Sequence, residues 1–268
     1  MMTRITNDKR MLEYSLMKLY PDIFCFSTTR HGGHSDGAYA SFNCNDYCGD
    51  TTENVDKNRV LLRSLMPKMP NDLIIPHQTH NTVVRKIDDA FLAKGIAERK
   101  ESLEGVDALI TDRKGECLCI STADCVPVLC YDRKRKAVAA IHAGWKGTVA
   151  RIVSKTLKAM AAEYGTQGED ITACIGPSIS LSAFEVGDEV YDKFRNEGFD
   201  MEQIAVRQDK WHIDLWKANR MQLEDFGVKP ENIQTAGICT WADNKDFFSA
   251  RRQGIASGRI LSGIMLLS

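Results

Sequence analysis

Three apolar runs that follow one another closely, VDALITD, LCISTADCVPVLCYD and AVAAIHAG, constrain the fold more than any other feature of the chain. Each has the length and the content of small, β-branched and apolar residues that are typical of a buried β-strand. The polar turn DRKRK joins the last two runs, so they are expected to pair antiparallel. Cys125 and His142 therefore lie on neighbouring strands, inside segments with the composition of a core.

The remaining segments mix strands and helices without the regular alternation of a doubly wound fold, which predicts mixed β-sheet with flanking helices. DIFCFSTT, DITACIGPSI, TAGICTW and RILSGIMLLS have strand composition. Helical spacing occurs in TENVDKNRVLLRSLM, where Thr51 or Thr52 is the expected N-cap, in GTVARIVSKTLKAMAAEYG, where Gly165 is the expected C-cap, and in VGDEVYDKFRNEG and WKANRMQLEDFG. Since no repeat or linker divides the sequence, one domain over residues 1–268 is expected.

Composition limits the partners. The 268 residues carry a formal net charge of -1, which gives no electrostatic basis for binding nucleic acid or an anionic membrane. The first residues lack the apolar stretch of a signal peptide, and nothing approaches the ~20 apolar residues of a membrane span, so we expect a cytoplasmic protein. Nine cysteines, an odd number, favour reduced thiols over a disulfide framework. We expect a monomer or a weak homodimer.

His80, Cys125 and His142 could together form an open zinc site with three protein ligands, which leaves one position for water or substrate. Spacing does not enforce this trio. If the tetrapeptide HQTH is extended, His77 and His80 point to opposite faces, so at most one of them faces a given site.

Two other interpretations of Cys125 remain open. A free cysteine is often a small buried hydrophobe, and a thiolate nucleophile with His142 as general base and Asp124 as orienting group would use the same atoms. Adjacent side chains on a strand point to opposite faces, which makes Asp124 more suitable as an acceptor that anchors a loop.

Arginines near glycine-bearing loops are candidate anion ligands. Arg30 lies in TTRHGG and Arg251 lies in FFSARRQG. A guanidinium matches phosphate or carboxylate oxygens in a bidentate manner, although an ordinary solvated arginine fits both positions as well.

Eight motifs follow one another along the chain: STTRHGGHSDGAYASFN, GDTTENVDKNR, HQTHNTVV, VDALIT, TADCVPVL, AAIHAGWKGT, IGPSISLSAFEVG and CTWADNKDFFSARR. In this order they resemble the motifs of the bacterial YfiH/YlmD family, also called the laccase-domain or multicopper polyphenol oxidoreductase family, whose mammalian relatives include FAMIN. The resemblance covers nearly the whole chain. Ala250 departs from the family pattern, which commonly has an aromatic residue before the arginine, and this could alter the wall of the substrate pocket.

The resemblance implies a zinc site formed by His80, Cys125 and His142, and an α/β/β/α arrangement of two mixed sheets between helices. It also implies phosphorolysis of adenosine, inosine, guanosine and S-methyl-5′-thioadenosine and hydrolytic deamination of adenosine. Purine nucleosides and phosphate are then the expected partners, with Arg30 as the leading phosphate ligand, Asn43 as a ribose or base ligand, and Arg251 as a further candidate.

Two alternative functions remain. The family name implies a copper-dependent polyphenol oxidase, with copper in place of zinc, but a laccase needs several coppers and the sequence has only six histidines. A cysteine hydrolase with Cys125 and His142 is the second alternative.

Overall fold

A computed structural model describes residues 3–267 of the chain. Within this range there are fifteen β-strands and nine α-helices. The strands are β1 (Thr3–Ile5), β2 (Met11–Tyr14), β3 (Ile23–Thr28), β4 (Asp72–Ile74), β5 (Val84–Lys86), β6 (Ala108–Thr111), β7 (Glu116–Thr122), β8 (Val126–Asp132), β9 (Ala137–Ala143), β10 (Ile171–Ile175), β11 (Glu185–Val186), β12 (Ala205–Arg207), β13 (Trp211–Ile213), β14 (Ile233–Thr235) and β15 (Ile260–Leu266). The helices are α1 (Thr52–Leu65), α2 (Asp89–Leu92), α3 (Ile96–Ser102), α4 (Trp145–Val149), α5 (Ile152–Tyr164), α6 (Asp188–Asn196), α7 (Met201–Ile204), α8 (Leu215–Asp225) and α9 (Ala250–Gln253).

Two six-stranded sheets form the centre of the molecule. The first has the order β1-β2-β3-β15-β7-β4, and the second has the order β14-β10-β8-β9-β6-β5. Both are mixed, because β4 is parallel to β7 in the first sheet, and β14 and β5 are parallel to their neighbours in the second. A small third sheet has the order β11-β13-β12.

The two large sheets face each other and are covered on their outer sides by helices. Leu12 and Ile264 of the first sheet share one buried cluster with Leu109 and Val138 of the second. Leu62 of α1 belongs to a cluster on the outer face of the first sheet. Residues of α5 and α8 belong to a third cluster on the outer face of the second sheet. The predicted α/β/β/α arrangement of two mixed sheets is confirmed.

Burial on both faces explains why the central strands are apolar throughout. Every residue of β7, β8, β9 and β15 is buried, whereas a sheet with one solvated face would alternate apolar and polar residues. Each large apolar side chain buried in this way contributes about 1.5–3 kcal/mol to folding.

The segment LCISTADCVPVLCYD differs from the prediction, because it forms two strands. β7 ends at Thr122 in the first sheet and β8 begins at Val126 in the second. Asp124, between them, has a φ of 85°, so the chain leaves extended geometry at this point. The predicted antiparallel pairing of β8 with β9 is confirmed, and it places Pro127 opposite His142. Cys125 therefore lies in the crossover and not on a strand.

Residues 72–86, which include the tetrapeptide HQTH, also divide between the sheets, because β4 belongs to the first sheet and β5 to the second. The segment TAGICTW is not a strand over its length: β14 ends at Thr235, and only an isolated bridge between Ser178 and Cys239 follows. β15 agrees with the predicted closing strand, and Ser268 lies outside the described residues.

The helix signals in the sequence are largely confirmed. Thr51 caps α1, with its hydroxyl accepting a hydrogen bond from the Asn54 N–H. Gly165 ends α5 with a φ of 72°, a left-handed conformation that glycine adopts without steric cost. The predicted helical segment GTVARIVSKTLKAMAAEYG is interrupted at Arg151, whose φ of 60° separates α4 from α5.

Candidate metal site and cleft

Three different parts of the framework deliver the candidate metal ligands. His80 lies in the crossover from β4 to β5, and Cys125 lies in the crossover from β7 to β8. His142 lies on β9, on the same face as Val138 and Ala140, which pack between the two sheets. Both crossovers and the end of β9 therefore meet at one edge of the pair of sheets.

The ligand atoms of the three residues converge. One nitrogen from each histidine and the Cys125 sulfur all lie within 4.8 Å of one another, and the Cys125 Sγ is 3.6 Å from the His80 Nε2. The His80 and His142 rings are 4.9 Å apart, nearly at right angles. His142 is buried, Cys125 is partly buried and His80 is exposed. The predicted trio is thus brought together, with one side open to solvent.

Asp107, the residue before β6, holds two of the candidate ligands in place. Its carboxylate accepts a hydrogen bond from the His142 Nδ1 at 2.7 Å and from the His80 backbone N–H at 3.0 Å. It also accepts the N–H groups of Asn81 and Thr79. Because Nδ1 of His142 is occupied by Asp107, Nε2 is the nitrogen available to a metal ion.

Asp107 is not among the site residues predicted from the sequence. The only signal was an aspartate placed directly before the apolar run ALIT. Burial alone would raise the pKa of Asp107, but its hydrogen bond and charge interaction with His142, together with the backbone N–H donors, outweigh burial and lower the pKa. The carboxylate is fully buried in its charged form.

Cys125 is disposed to ionise. Burial would raise the pKa of its thiol, but the charge and hydrogen bonding of His142, followed by those of His80, lower it to about 6. For His142, burial lowers the pKa, and the Cys125 thiolate and Asp107 more than compensate, so the pKa rises to about 9. A thiolate is the form of cysteine that binds metal ions.

Close approach of the ligands requires a glycine at the end of β9. A Cβ atom on Gly144 would lie 2.8 Å from the His80 Cδ2 and 3.0 Å from the Cys125 Sγ. The φ of Gly144 is −64°, which any residue adopts, so the requirement is for space and not for conformation.

Asp124 acts as an anchor for the loop, in agreement with the predicted acceptor role. Its carboxylate accepts hydrogen bonds from the Thr240 hydroxyl and the Arg251 backbone N–H, both at 2.6 Å. The reason offered from the sequence was wrong, because Asp124 is not on a strand. The orienting group for His142 is Asp107 and not Asp124.

The three candidate ligands line a cleft with a volume of about 440 Å³. Its other lining residues come from the loop before α1, the two crossovers, the end of β7, the segment between β10 and β11, and the segment around α9. They are Asn45, Tyr47, Cys48, His77, Gln78, Ser121, Thr122, Ala123, Asp124, Ile179, Phe184, Ala250, Arg251, Ile255 and Arg259. Clefts of roughly 300–1,000 Å³ are typical of small-molecule sites. Ala250 is part of the wall, where the sequence placed it.

The end of β7 is hydrogen-bonded to the crossover that carries His80. The Gln78 amide pairs with the backbone of Ser121, donating to its carbonyl and accepting from its N–H. This pairing fixes the first crossover against the first sheet. The buried hydroxyls of Ser121 and Thr122 have no hydrogen-bond partner within residues 3–267.

The two arginines predicted as anion ligands differ in their position relative to the cleft. Arg251 lines the cleft and donates to the Glu185 carbonyl. Arg30 is not among the lining residues, and its guanidinium donates to the carbonyls of Ala40 and Asn244. These contacts differ from those expected of a phosphate ligand.

Asn43 is fully buried and, like Arg30, is not among the residues that line the cleft. Its side chain accepts from the Arg259 backbone N–H and donates to the Asn45 carbonyl. It thus shapes the loops that line the cleft, whereas the sequence predicted a direct substrate contact.

His77 and Tyr47 form a stacked pair of rings at the cleft, which was not predicted from the sequence. Their rings are stacked with centroids 4.2 Å apart, and the His77 Nδ1 lies 2.6 Å from a Glu104 carboxylate oxygen. His77 and His80 both line the cleft, because the φ of 62° at His80 breaks the extended geometry on which opposite orientations depended.

The sequence model of one protein family, described as multi-copper polyphenol oxidoreductase laccase, matches residues 24–267. The chain belongs to this family. The crystal structure of the Bacillus licheniformis protein YfiH has a TM-score of 0.89 to this chain, covers 98% of both chains and is 29% identical in sequence. The resemblance recognised in the sequence motifs is therefore confirmed.

Curated relatives carry the names of purine nucleoside enzymes. A purine nucleoside phosphorylase of Bacteroides thetaiotaomicron is 58% identical over 268 residues, which is 99% of each chain. Adenosine deaminase RL5, from an unknown prokaryotic organism, is 43% identical over 244 residues, which is 89% of this chain and 92% of that protein.

None of the helices within residues 3–267 has both the length and the apolar character needed to cross a bilayer.

Proposed function

We propose that this protein is a zinc-dependent purine nucleoside enzyme. In this proposal it phosphorolyses adenosine, inosine, guanosine and S-methyl-5′-thioadenosine to the base and the corresponding ribose 1-phosphate, and it deaminates adenosine to inosine. The observation that carries the proposal is the convergence of His80, Cys125 and His142 within a cleft of nucleoside size. The names of the two relatives support the substrate class.

The donor set fits zinc. Zn–S and Zn–N bonds of about 2.3 and 2.1 Å at a tetrahedral angle separate the sulfur from the nitrogen by about 3.6 Å, and the distance from the Cys125 Sγ to the His80 Nε2 is 3.6 Å. Two imidazoles and one thiolate leave a fourth position open. Zinc held here would supply a Lewis acid that activates water at neutral pH.

The protein itself would orient the reactants. Asp107 fixes the ring of His142, and the stacked Tyr47 and His77 rings supply an aromatic surface at the cleft. We assign the phosphate contact to Arg251, which lines the cleft, in preference to Arg30. Asn43 then acts by supporting the backbone of Asn45 and Arg259 and not by binding ribose.

A cysteine hydrolase remains the second candidate, because the pKa of Cys125 is lowered to about 6 and His142 is backed by Asp107. The position of His80 favours the metal site, since a nucleophile with one general base has no use for a second imidazole 3.6 Å from its sulfur. The copper alternative would use the same three ligands, but a multicopper centre needs further histidines, and residues 3–267 contain no second cluster of three metal-binding side chains.

Metal-defined protein incubated with adenosine, with and without phosphate, tests the proposal. We expect adenine to form only when phosphate is present and inosine to form in both conditions, as measured by chromatography. Cys125→Ala should lose bound zinc and both activities, because a two-ligand site binds the metal far more weakly. Cys48→Ala is the matched control, since Cys48 lines the same cleft outside the trio.

Absence of both products from zinc-loaded wild-type protein would refute the purine assignment. A Cys125→Ala variant that kept its zinc and its full activity would refute the ligand set. If the wild-type protein contains no metal and needs none for activity, loss of activity in Cys125→Ala would favour the hydrolase.

A further inference from the structure

We propose that His77 is the acid that protonates the departing purine during phosphorolysis. The inference rests on the proposed function and adds to it the proton donor, a role that no metal ligand fills.

The cleft contains three histidines, and two of them belong to the candidate metal site. A histidine whose nitrogen is bound to a metal ion cannot donate a proton from that nitrogen, and Nδ1 of His142 is engaged by Asp107. Of the cleft histidines, His77 is therefore the one whose ring is outside the metal group.

Two backbone hydrogen bonds fix the position of His77. Its N–H donates to the Leu103 carbonyl at 3.1 Å, and its carbonyl accepts from the Gly105 N–H at 2.9 Å. The segment 103–105 thus runs beside His77 as a short parallel bridge. A catalytic side chain needs this kind of fixed backbone, because proton transfer depends on geometry before it depends on acidity.

The His77 ring is oriented from two directions. Its Nδ1 is paired with Glu104 at 2.6 Å, and its face is stacked on Tyr47. Within residues 3–267 its Nε2 has no hydrogen-bond partner, and the side chain is 36% exposed at the cleft. A carboxylate on one nitrogen and an unpaired second nitrogen, in a residue that lines the cleft, is the arrangement of a histidine that acts in acid–base catalysis.

Asp46 and Arg59 are two further charged groups that act on Tyr47. Asp46 and Arg59 form an ion pair with a 2.8 Å contact. Both act on the Tyr47 hydroxyl, whose pKa is raised mainly by burial. Tyr47 therefore stays protonated at neutral pH and serves as a neutral stacking partner.

The reaction then balances as follows. The C1′–N9 bond breaks and its electron pair passes into the purine ring, while an oxygen of hydrogen phosphate forms the new bond to C1′. The proton on His77 Nε2 moves to N7, so the base leaves as a neutral purine. The proton that hydrogen phosphate brings restores the imidazolium, and ribose 1-phosphate is the second product.

The test uses a substrate whose base needs no proton. In 7-methylinosine the purine already carries a positive charge at the imidazole ring, so it leaves without protonation. With zinc-loaded full-length protein, we expect His77→Gln to lower kcat/KM for phosphorolysis of inosine about 10²–10⁴-fold and to leave that for 7-methylinosine nearly unchanged. His34→Gln, which alters an exposed histidine in a separate groove, should keep both activities.

Two results would overturn the assignment: an equal loss for both substrates, which a structural or binding role produces, or an unchanged rate with inosine. Zinc content, measured by atomic emission, separates a direct effect from damage to the metal site. A wild-type protein that phosphorolyses neither substrate would reject the proposed function itself, and the acid role with it.

Discussion

At the scale of single residues, the site depends on a buried carboxylate that touches no substrate. Asp107 accepts four hydrogen bonds, three from the backbone of residues 79–81 and one from the His142 ring. One side chain thereby positions a whole loop and one imidazole. A carboxylate is well suited to this task, because it has acceptor capacity for all four donors.

Asp107→Asn should weaken zinc binding about 10–100-fold, the usual cost of removing a partner that orients a metal ligand. The amide keeps one acceptor oxygen but turns its NH₂ group toward backbone N–H groups. Affinity can be measured by competition with a chromogenic chelator. The matched control is Asp132→Asn, because Asp132 is also fully buried and accepts two backbone N–H groups in the β8–β9 turn. Equal affinity in the wild type and Asp107→Asn would contradict the role assigned to Asp107.

At the level of residues, the side-chain types made the metal trio possible, and the family resemblance favoured it over the alternatives. His80 and Cys125 are 45 residues apart, and this spacing does not indicate that the His80 Nε2 lies 3.6 Å from the Cys125 Sγ. Asp107 looked like an ordinary strand-flanking aspartate, since a motif does not reveal which donors a carboxylate will face. Arg30 and Asn43 are polar residues in a glycine-bearing region, and their partners include a carbonyl and an N–H group that lie 214 and 216 residues away, which local sequence does not indicate.

At the scale of elements, the junction of β9 and α4 determines how closely the ligands approach. Gly144 is both the last residue before α4 and the neighbour of His80 and Cys125. An added methyl group would have to displace a ligand, since its neighbours on that side are the ring of His80 and the sulfur of Cys125. The helix itself would tolerate alanine at this φ.

Gly144→Ala should therefore fold normally and lose activity. A displacement of about 1 Å at a reacting centre costs on the order of 10²-fold in rate, so we expect that loss in kcat/KM for adenosine phosphorolysis. Gly147→Ala, within α4, is the control, because its new Cβ would have no neighbour closer than 3.4 Å. Full activity in Gly144→Ala would show that the ligands can move apart without consequence.

Elements with a clear period were predicted well, whereas one continuous apolar run was read as a single strand where the structure has two. α1 and α5 follow from their spacing and caps. LCISTADCVPVLCYD has the composition of one strand along its whole length, yet it changes sheets at Asp124. Both sheets of this fold bury their strands on two faces, so the hydrophobic pattern is the same before and after the crossover. Only the tertiary arrangement distinguishes the two halves.

At the scale of the whole molecule, a metal ion bound at this site would join the two sheets. His80 and Cys125 lie in connections between the sheets, and His142 lies in the second. A ligand that binds only the folded chain stabilises it, by about 2.7 kcal/mol at a concentration 100 times its Kd.

Zinc at that concentration should raise the Tm of metal-free protein by roughly 5–10 °C, since each kcal/mol shifts the Tm of a protein of this size by about 2–4 °C. Differential scanning calorimetry measures this shift. Cys125→Ala should show little of it at the same zinc concentration, and an equal shift in that variant would place the stabilising metal elsewhere.

The antiparallel register of β8 and β9 sets Pro127 opposite His142 and turns that imidazole toward the first sheet. A slip of one residue along this hairpin would turn His142 to the helix-covered face and bring Ala143 to the metal site. Metal capture would then be impossible, although the slipped strand would remain almost entirely apolar. Zinc affinity measured during refolding is therefore a gauge of correct strand alignment, which secondary-structure content alone does not detect.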